Sequence, residues 1–115
     1  MSRFSSLRIA VLGAGSFGTV LADIAAHNGC SVSIFARRSE MVHAINAFNR
    51  NPQYHPDLPL HSSIIASTNL SEVVDGADLI LLSVPSTAMD SLCINLKAIV
   101  PPEVPLISTT KGIRS

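Results

Sequence analysis

Six residues near the amino terminus, Gly13-Ala14-Gly15-Ser16-Phe17-Gly18, have the spacing that lets backbone amides gather around an anion. Glycine at the first position permits a tight turn. At the second it leaves room for a ligand to touch backbone, and at the third it lets a helix lie close to neighbouring strands. Free N–H groups at the start of a helix, with the positive end of its dipole, complete such a site; the amides of Ser16 and Phe17 and the Ser16 hydroxyl are the expected donors. Arg37 and Arg38 follow about twenty residues later, where guanidinium groups can pair with a phosphate or stack on an aromatic base. Lys111, a lone cation after an apolar run and between Thr110 and Gly112, is placed to hold a phosphate or a polarised carbonyl oxygen.

Other constellations are weaker. His27, His43, His55 and His61 have no metal-ligand spacing among themselves or with cysteines and carboxylates, so no metal is expected. No nucleophile sits at a sharp elbow, which excludes a hydrolase of that design. Cys30 and Cys93 fall in apolar segments and read as reduced, buried thiols.

The elements that must position these residues follow from periodicity. Strands are expected over 7–12, 32–35, 64–66, 79–84 and 106–108, alternating with helices over 19–27, from Ser39 to Phe48, over 70–75 and over 87–99. This alternation predicts an α/β fold with a doubly wound parallel sheet, a Rossmann dinucleotide-binding domain spanning 1–115. Residues 79–84 are apolar at every strand position except Ser83, as befits a strand near the middle of a sheet covered on both faces. The first helix is expected to turn Val20, Leu21, Ile24 and Ala25 inward and to stop at Asn28-Gly29. Ser39 is the expected N-cap of the second helix, with Met41, Val42, Ile45 and Phe48 as its inward stripe. The fourth should face the sheet with Met89, Leu92, Cys93, Leu96 and Ile99. Residues 49–62, with Pro52, Pro56 and Pro59, form an ordered, non-helical surface excursion.

In this context the glycine turn is more than a chance pattern: it ends an apolar strand and opens a helix within one βαβ unit, the arrangement that receives the pyrophosphate of NAD or NADP. No Asp or Glu stands at the end of the second strand, where a ribose 2′-hydroxyl would be bound. Arg37 and Arg38 therefore favour NADP, with use of both cofactors left open. Because ligands of open parallel sheets collect beyond the carboxyl ends of the strands, Val84-Pro85-Ser86 and the segment around Lys111 should border the same crevice. Pro85 ends the fourth strand and is a candidate cofactor contact; Ser86 suits a helix cap.

Composition sets the outer bounds. The chain has 115 residues, enough for one domain, and is 47% hydrophobic and 14% charged, which fits much buried aliphatic strand and excludes disorder. Eight basic residues balance eight acidic ones without clustering, so neither nucleic acid nor an anionic membrane is an expected partner. No signal-peptide core or membrane span is legible, and a cytoplasmic location is the expectation.

Several ordered pieces jointly resemble the bacterial type of NAD(P)-dependent glycerol-3-phosphate dehydrogenase. They are Gly13 to Thr19, Asn28-Gly29, Ile45-Asn46, Asn51-Pro52-Gln53-Tyr54-His55-Pro56 with Leu58-Pro59-Leu60, Ala77-Asp78-Leu79-Ile80, Val84-Pro85-Ser86 and Thr110-Lys111-Gly112-Ile113. The resemblance implies reversible hydride transfer between nicotinamide and dihydroxyacetone phosphate or sn-glycerol 3-phosphate, a reaction that supplies phospholipid backbones. It implies cofactor contacts from Ser16, Phe17, Arg37 and Arg38, and from Lys111 contact with both cofactor and substrate. The family often has Trp or Tyr where Phe17 stands. It also implies a further helical domain carrying the proton-transferring lysine and most of the substrate site, so that the helical substrate domain is absent from this chain and no catalytic residue is assigned within it. The chain then reads as an amino-terminal part of a longer enzyme, with room for a homo-oligomer. Two other readings remain: the same fold in a dehydrogenase of the ketopantoate or hydroxyacyl type, and a non-catalytic nucleotide-sensing module.

Overall fold

Each apolar run of strand length becomes a strand, and each helical pattern a helix, in the computed structural model, which describes residues 7–52, 57, 59–84 and 86–108. In chain order the elements are β1 (Arg8–Leu12), α1 (Ser16–His27), β2 (Ser31–Phe35), α2 (Ser39–Phe48), β3 (Ile65–Ser67), α3 (Leu70–Val74), β4 (Leu79–Leu82), α4 (Ser86–Ile99) and β5 (Leu106–Ser108). The expectations placed on Pro85, Lys111, residues 53–56 and Leu58 lie outside the described residues.

The strands form one parallel sheet in the order β3-β2-β1-β4-β5. β1 is the centre, with Val11 level with Ile34 of β2 on one side and Leu81 of β4 on the other. β4, expected near the middle, lies one strand away from it. It is shorter than expected, ending at Leu82, so that Ser83 and Val84 belong to the loop.

The alternation of side chains along β1 divides the core into two layers. Ile9 and Val11 face one side, where Ala22 and Ala26 of α1 and Met41 and Ile45 of α2 cover them. Ala10 and Leu12 face the other, against Val73 and Val74 of α3 and Leu96 of α4. Winding in both directions from β1 places α1 and α2 on one face and α3 and α4 on the other, the consequence of right-handed crossovers to either side.

The inward face of α1 differs from the expectation. Among its described side chains Thr19, Ala22 and Ala26 are buried, whereas Ile24 is 53% exposed and Val20 and Leu21 are only half-buried. The reason is proximity: a helix that begins on a glycine turn hard against the sheet has room for small side chains only, so the bulkier ones are displaced to its flanks. Phe48 and Ile99, expected inward, are both exposed, each being the last residue of its helix. Phe48 instead meets the His43 ring edge-to-face at 5.6 Å.

Helix boundaries have local causes. α1 stops where Gly29 takes φ +92°, with the Asn28 side chain donating to the Ile24 carbonyl at 2.8 Å. α2 is capped by Arg38 in extended conformation without a side-chain bond, so Ser39 is the first helical residue and not the cap. Asn49 ends α2 in the left-handed region at φ +55°. Asn69 caps α3 by accepting from the Glu72 amide.

The excursion after α2 is not wholly superficial, because its described ends are drawn into the molecule. Leu60 is buried and its amide donates to the Asn49 carbonyl at 2.7 Å, while Asn51 is fully buried. At the sheet margin, the Asn46 side chain on α2 makes two bonds to Ala66 of β3, its Nδ2 donating to the carbonyl at 2.9 Å and its Oδ1 accepting from the amide at 2.7 Å.

Candidate functional site

β1 delivers the chain to a turn that glycine alone can make. Gly13 has φ +107°, and a Cβ there would overlap the Ser83 carbonyl oxygen. The turn is fixed from both sides, since the Gly13 amide donates to the Phe35 carbonyl and the Ser83 amide to the Leu12 carbonyl, each at 2.8 Å. Gly18 is buried in the first turn of α1, and its missing Cβ would stand 2.5 Å from Ser83 Oγ and 2.6 Å from Ser83 Cβ. Both glycines are thus required by the fold itself.

Gly15 is different. Its backbone, at φ −72° and ψ 175°, suits any residue, and a Cβ would meet Ser83 atoms only at 3.7 Å, ordinary contact. Nothing among the described residues demands glycine here, so the bare backbone serves the space in front of it. That space is a cleft of about 350 Å³ at the carboxyl ends of the strands. Gly13, Ala14 and Gly15 form one wall, Arg37 and Arg38 after β2 another, and Ser83 and Val84 after β4 a third, with Phe35 and Met41 adding apolar surface.

The cleft therefore brings together Gly13, Gly15, Arg37, Arg38 and Val84 of the residues singled out by sequence. Ser16 opens α1, so its amide lies in the unbonded first turn. Gly18 stands behind the turn as a packing residue. Phe17, 57% exposed on that same first turn, does not line the cleft. Ser83 and Met41 were missed: Ser83 lies in a run that reads as uniform strand, and Met41 reads as core. Thr19 and Asn51, both fully buried, are polar groups behind the glycine turn that local pattern does not reveal.

The electrostatics suit an anion. Among the described residues, none that is acidic lines the cleft, and none that is acidic lies in the first turn of α1. Arg37 and Arg38 are exposed, and among the described residues neither is in an ion pair. The first turn of a helix of 12 residues adds its own partial positive charge. The described residues include no group of histidine, cysteine and carboxylate side chains able to hold a metal, and Cys30 and Cys93 are both free.

A parallel sheet in this order, with a glycine turn leading from its central strand into a close-packed helix and a cleft at the switch point, defines a Rossmann-type dinucleotide-binding domain. The sequence profile of the NAD-dependent glycerol-3-phosphate dehydrogenase N-terminus matches residues 8–115. The chain belongs to that family and corresponds to its N-terminal, NAD-binding domain. It is 43% identical over 108 residues to a glycerol-3-phosphate dehydrogenase (NAD(P)+) of Brucella canis, covering 94% of this chain and 33% of that protein. With the enzyme of the same name from Leptospira biflexa it shares 38% over 109 residues, 95% of this chain and 33% of the relative. Among solved structures, the glycerol-3-phosphate dehydrogenase of Coxiella burnetii superposes with a TM-score of 0.87 at 31% identity, over 94% of this chain and 33% of that one. The chain thus spans about a third of the length of the relatives it matches. No helix among the described residues is long and apolar enough to cross a membrane.

Proposed function

We propose that this chain is the cofactor-holding part of a cytoplasmic enzyme that interconverts dihydroxyacetone phosphate and sn-glycerol 3-phosphate, feeding phospholipid synthesis, and that it accepts NADP(H) as well as NAD(H). The observation that carries the cofactor half of this reading is the Gly15 cradle: a glycine at a helix start that no described neighbour requires to be glycine, facing a cleft that the described residues line with two guanidinium groups and no carboxylate. The reaction half rests on the relatives, which bear that name over this whole stretch.

The residues present fit such a cofactor. Gly13 shapes the turn, Gly15 leaves the pyrophosphate its space, and the first-turn amides of Ser16 and Phe17 neutralise it. Gly18 sets the depth at which α1 lies. Arg37 and Arg38 meet the adenosine end, where a 2′-phosphate gains charge-assisted bonds. Phe35, Met41 and Val84 provide apolar surface for flat rings. Pro85 is assigned to the cofactor, and Lys111 to cofactor and substrate together. The nicotinamide supplies or accepts hydride when bound. Proton transfer is assigned to no residue of this chain, and assembly into a homo-oligomer belongs to the complete enzyme.

The deciding experiment is a paired titration of the chain with NADPH and NADH. Binding of NADPH at least as tight as that of NADH is expected, and a clear preference for NADH overturns the role given to the arginines.

A further inference from the structure

Behind the glycine turn lies a chain of hydrogen bonds with no part in the apolar core. Asn51 Nδ2 donates to the Ala14 carbonyl at 2.8 Å and to Thr19 Oγ1 at 2.7 Å, and Thr19 Oγ1 donates to the Gly15 carbonyl at 2.7 Å. Asn51 and Thr19 are both fully buried. The two protons of the amide and the single proton of the hydroxyl are thereby committed, each to a stated acceptor.

Two successive carbonyls of the turn are thus held toward the protein interior. The peptide unit is planar and the described residues contain no cis bond, so each carbonyl held inward sends the following N–H the opposite way. Fixing the Ala14 carbonyl aims the Gly15 amide outward, and fixing the Gly15 carbonyl aims the Ser16 amide outward. Helix formation already holds the second, since the Thr19 amide also donates to the Gly15 carbonyl at 3.0 Å. It does nothing for the first, which falls to Asn51. Asn51 is in turn anchored near the closure where Leu60 bonds Asn49.

The geometry points to Asn51, acting with Thr19, as the positioning residue that orients the glycine-turn amides for a pyrophosphate. This rests on the cofactor reading above and extends it to a residue that never touches the ligand. It also explains why the excursion after α2 turns inward at its start, since that is where the side chain that sets the turn is carried.

The test uses Asn51→Ala, Thr19→Val and Thr19→Ser in this chain, with NADPH and adenosine 2′-phosphate as probes, the second lacking any pyrophosphate. Dissociation constants are read from amide chemical shifts, with Gly15 and Ser16 followed individually. Asn51→Ala is expected to weaken NADPH about tenfold and to silence the Gly15 amide response, while adenosine 2′-phosphate changes by less than about twofold. Thr19→Val should shift in the same direction, and Thr19→Ser, which keeps the hydroxyl, should bind like the parent. Unchanged NADPH affinity in Asn51→Ala and Thr19→Val overturns the proposal, as does parallel weakening of both probes, the mark of a merely structural role. If Asn51→Ala does not fold, the Thr19 pair decides alone: selective loss in valine with recovery in serine supports the role, and equal binding by both removes it. A parent chain that binds no dinucleotide refutes the cofactor reading and this proposal with it; a binding parent with an equally binding Asn51→Ala refutes only the latter.

Discussion

Gly18 and Ser83 occupy one another's space: the Cβ that Gly18 lacks would stand 2.5 Å from the Ser83 hydroxyl oxygen and 2.6 Å from its Cβ. Helix α1 therefore lies as close to the end of β4 as two backbones and one small side chain permit. Ser83 Cβ is fixed by the backbone, so the clash has no cheap relief. Gly18→Ala is expected to destabilise the fold by about 1–3 kcal/mol, the usual range for overpacking. Adding Ser83→Gly should return part of that loss. Urea unfolding of the single and double variants measures both, and additive effects would show that the two sites do not interact.

Gly15 provides the contrast within the same motif. Its φ of −72° and the 3.7 Å clearance beside Ser83 allow a side chain, so Gly15→Val should keep the thermal midpoint close to that of the parent. Dinucleotide binding should vanish, because the branched side chain occupies the cleft. Calorimetric titration beside a melting curve separates the two effects; intact affinity would remove the turn from the site.

Arg37 and Arg38 should act on one cofactor more than the other. Replacing both with alanine removes charge-assisted bonds of about 1.5–3 kcal/mol, so NADPH affinity should fall by about tenfold or more while NADH changes little. The NADPH affinity of the parent should also fall with added salt more steeply than that of the double variant, since exposed charges are screened. Equal losses for the two cofactors would count against this assignment.

Asn49 ends α2 in a left-handed conformation at φ +55°. Asn49→Gly should be neutral or slightly stabilising, whereas Asn49→Val should cost about 1–2 kcal/mol, because a branched residue strains there. Thermal denaturation of the two variants should move the midpoint in these different ways.

The chain order of strands and helices was legible because each apolar run has strand length and each helix a 3.6-residue stripe. The glycine turn was legible because strand, turn and helix follow each other within a few residues. What escaped depends on distance in space. The inward face of α1 went to Thr19, Ala22 and Ala26 and not to its larger residues, since size at a helix face is set by how near the sheet lies. Ser39 yielded the cap to Arg38 because no side-chain bond was needed to turn the chain there. Asn51 meets Thr19 across 32 positions of sequence, and no local pattern marks a polar residue that will be buried by such a partner.

Asn46 bears on what the β3 margin of the sheet offers to a neighbour. A sheet margin recruits strangers through its outward amides and carbonyls, and β3 is three residues long. Its outer residues pair with β2, leaving Ala66 as the position that looks outward, and the Asn46 amide takes both of its backbone groups. One side chain from the neighbouring helix thus imitates the strand that would otherwise be added, and occupies both backbone groups that Ala66 turns outward.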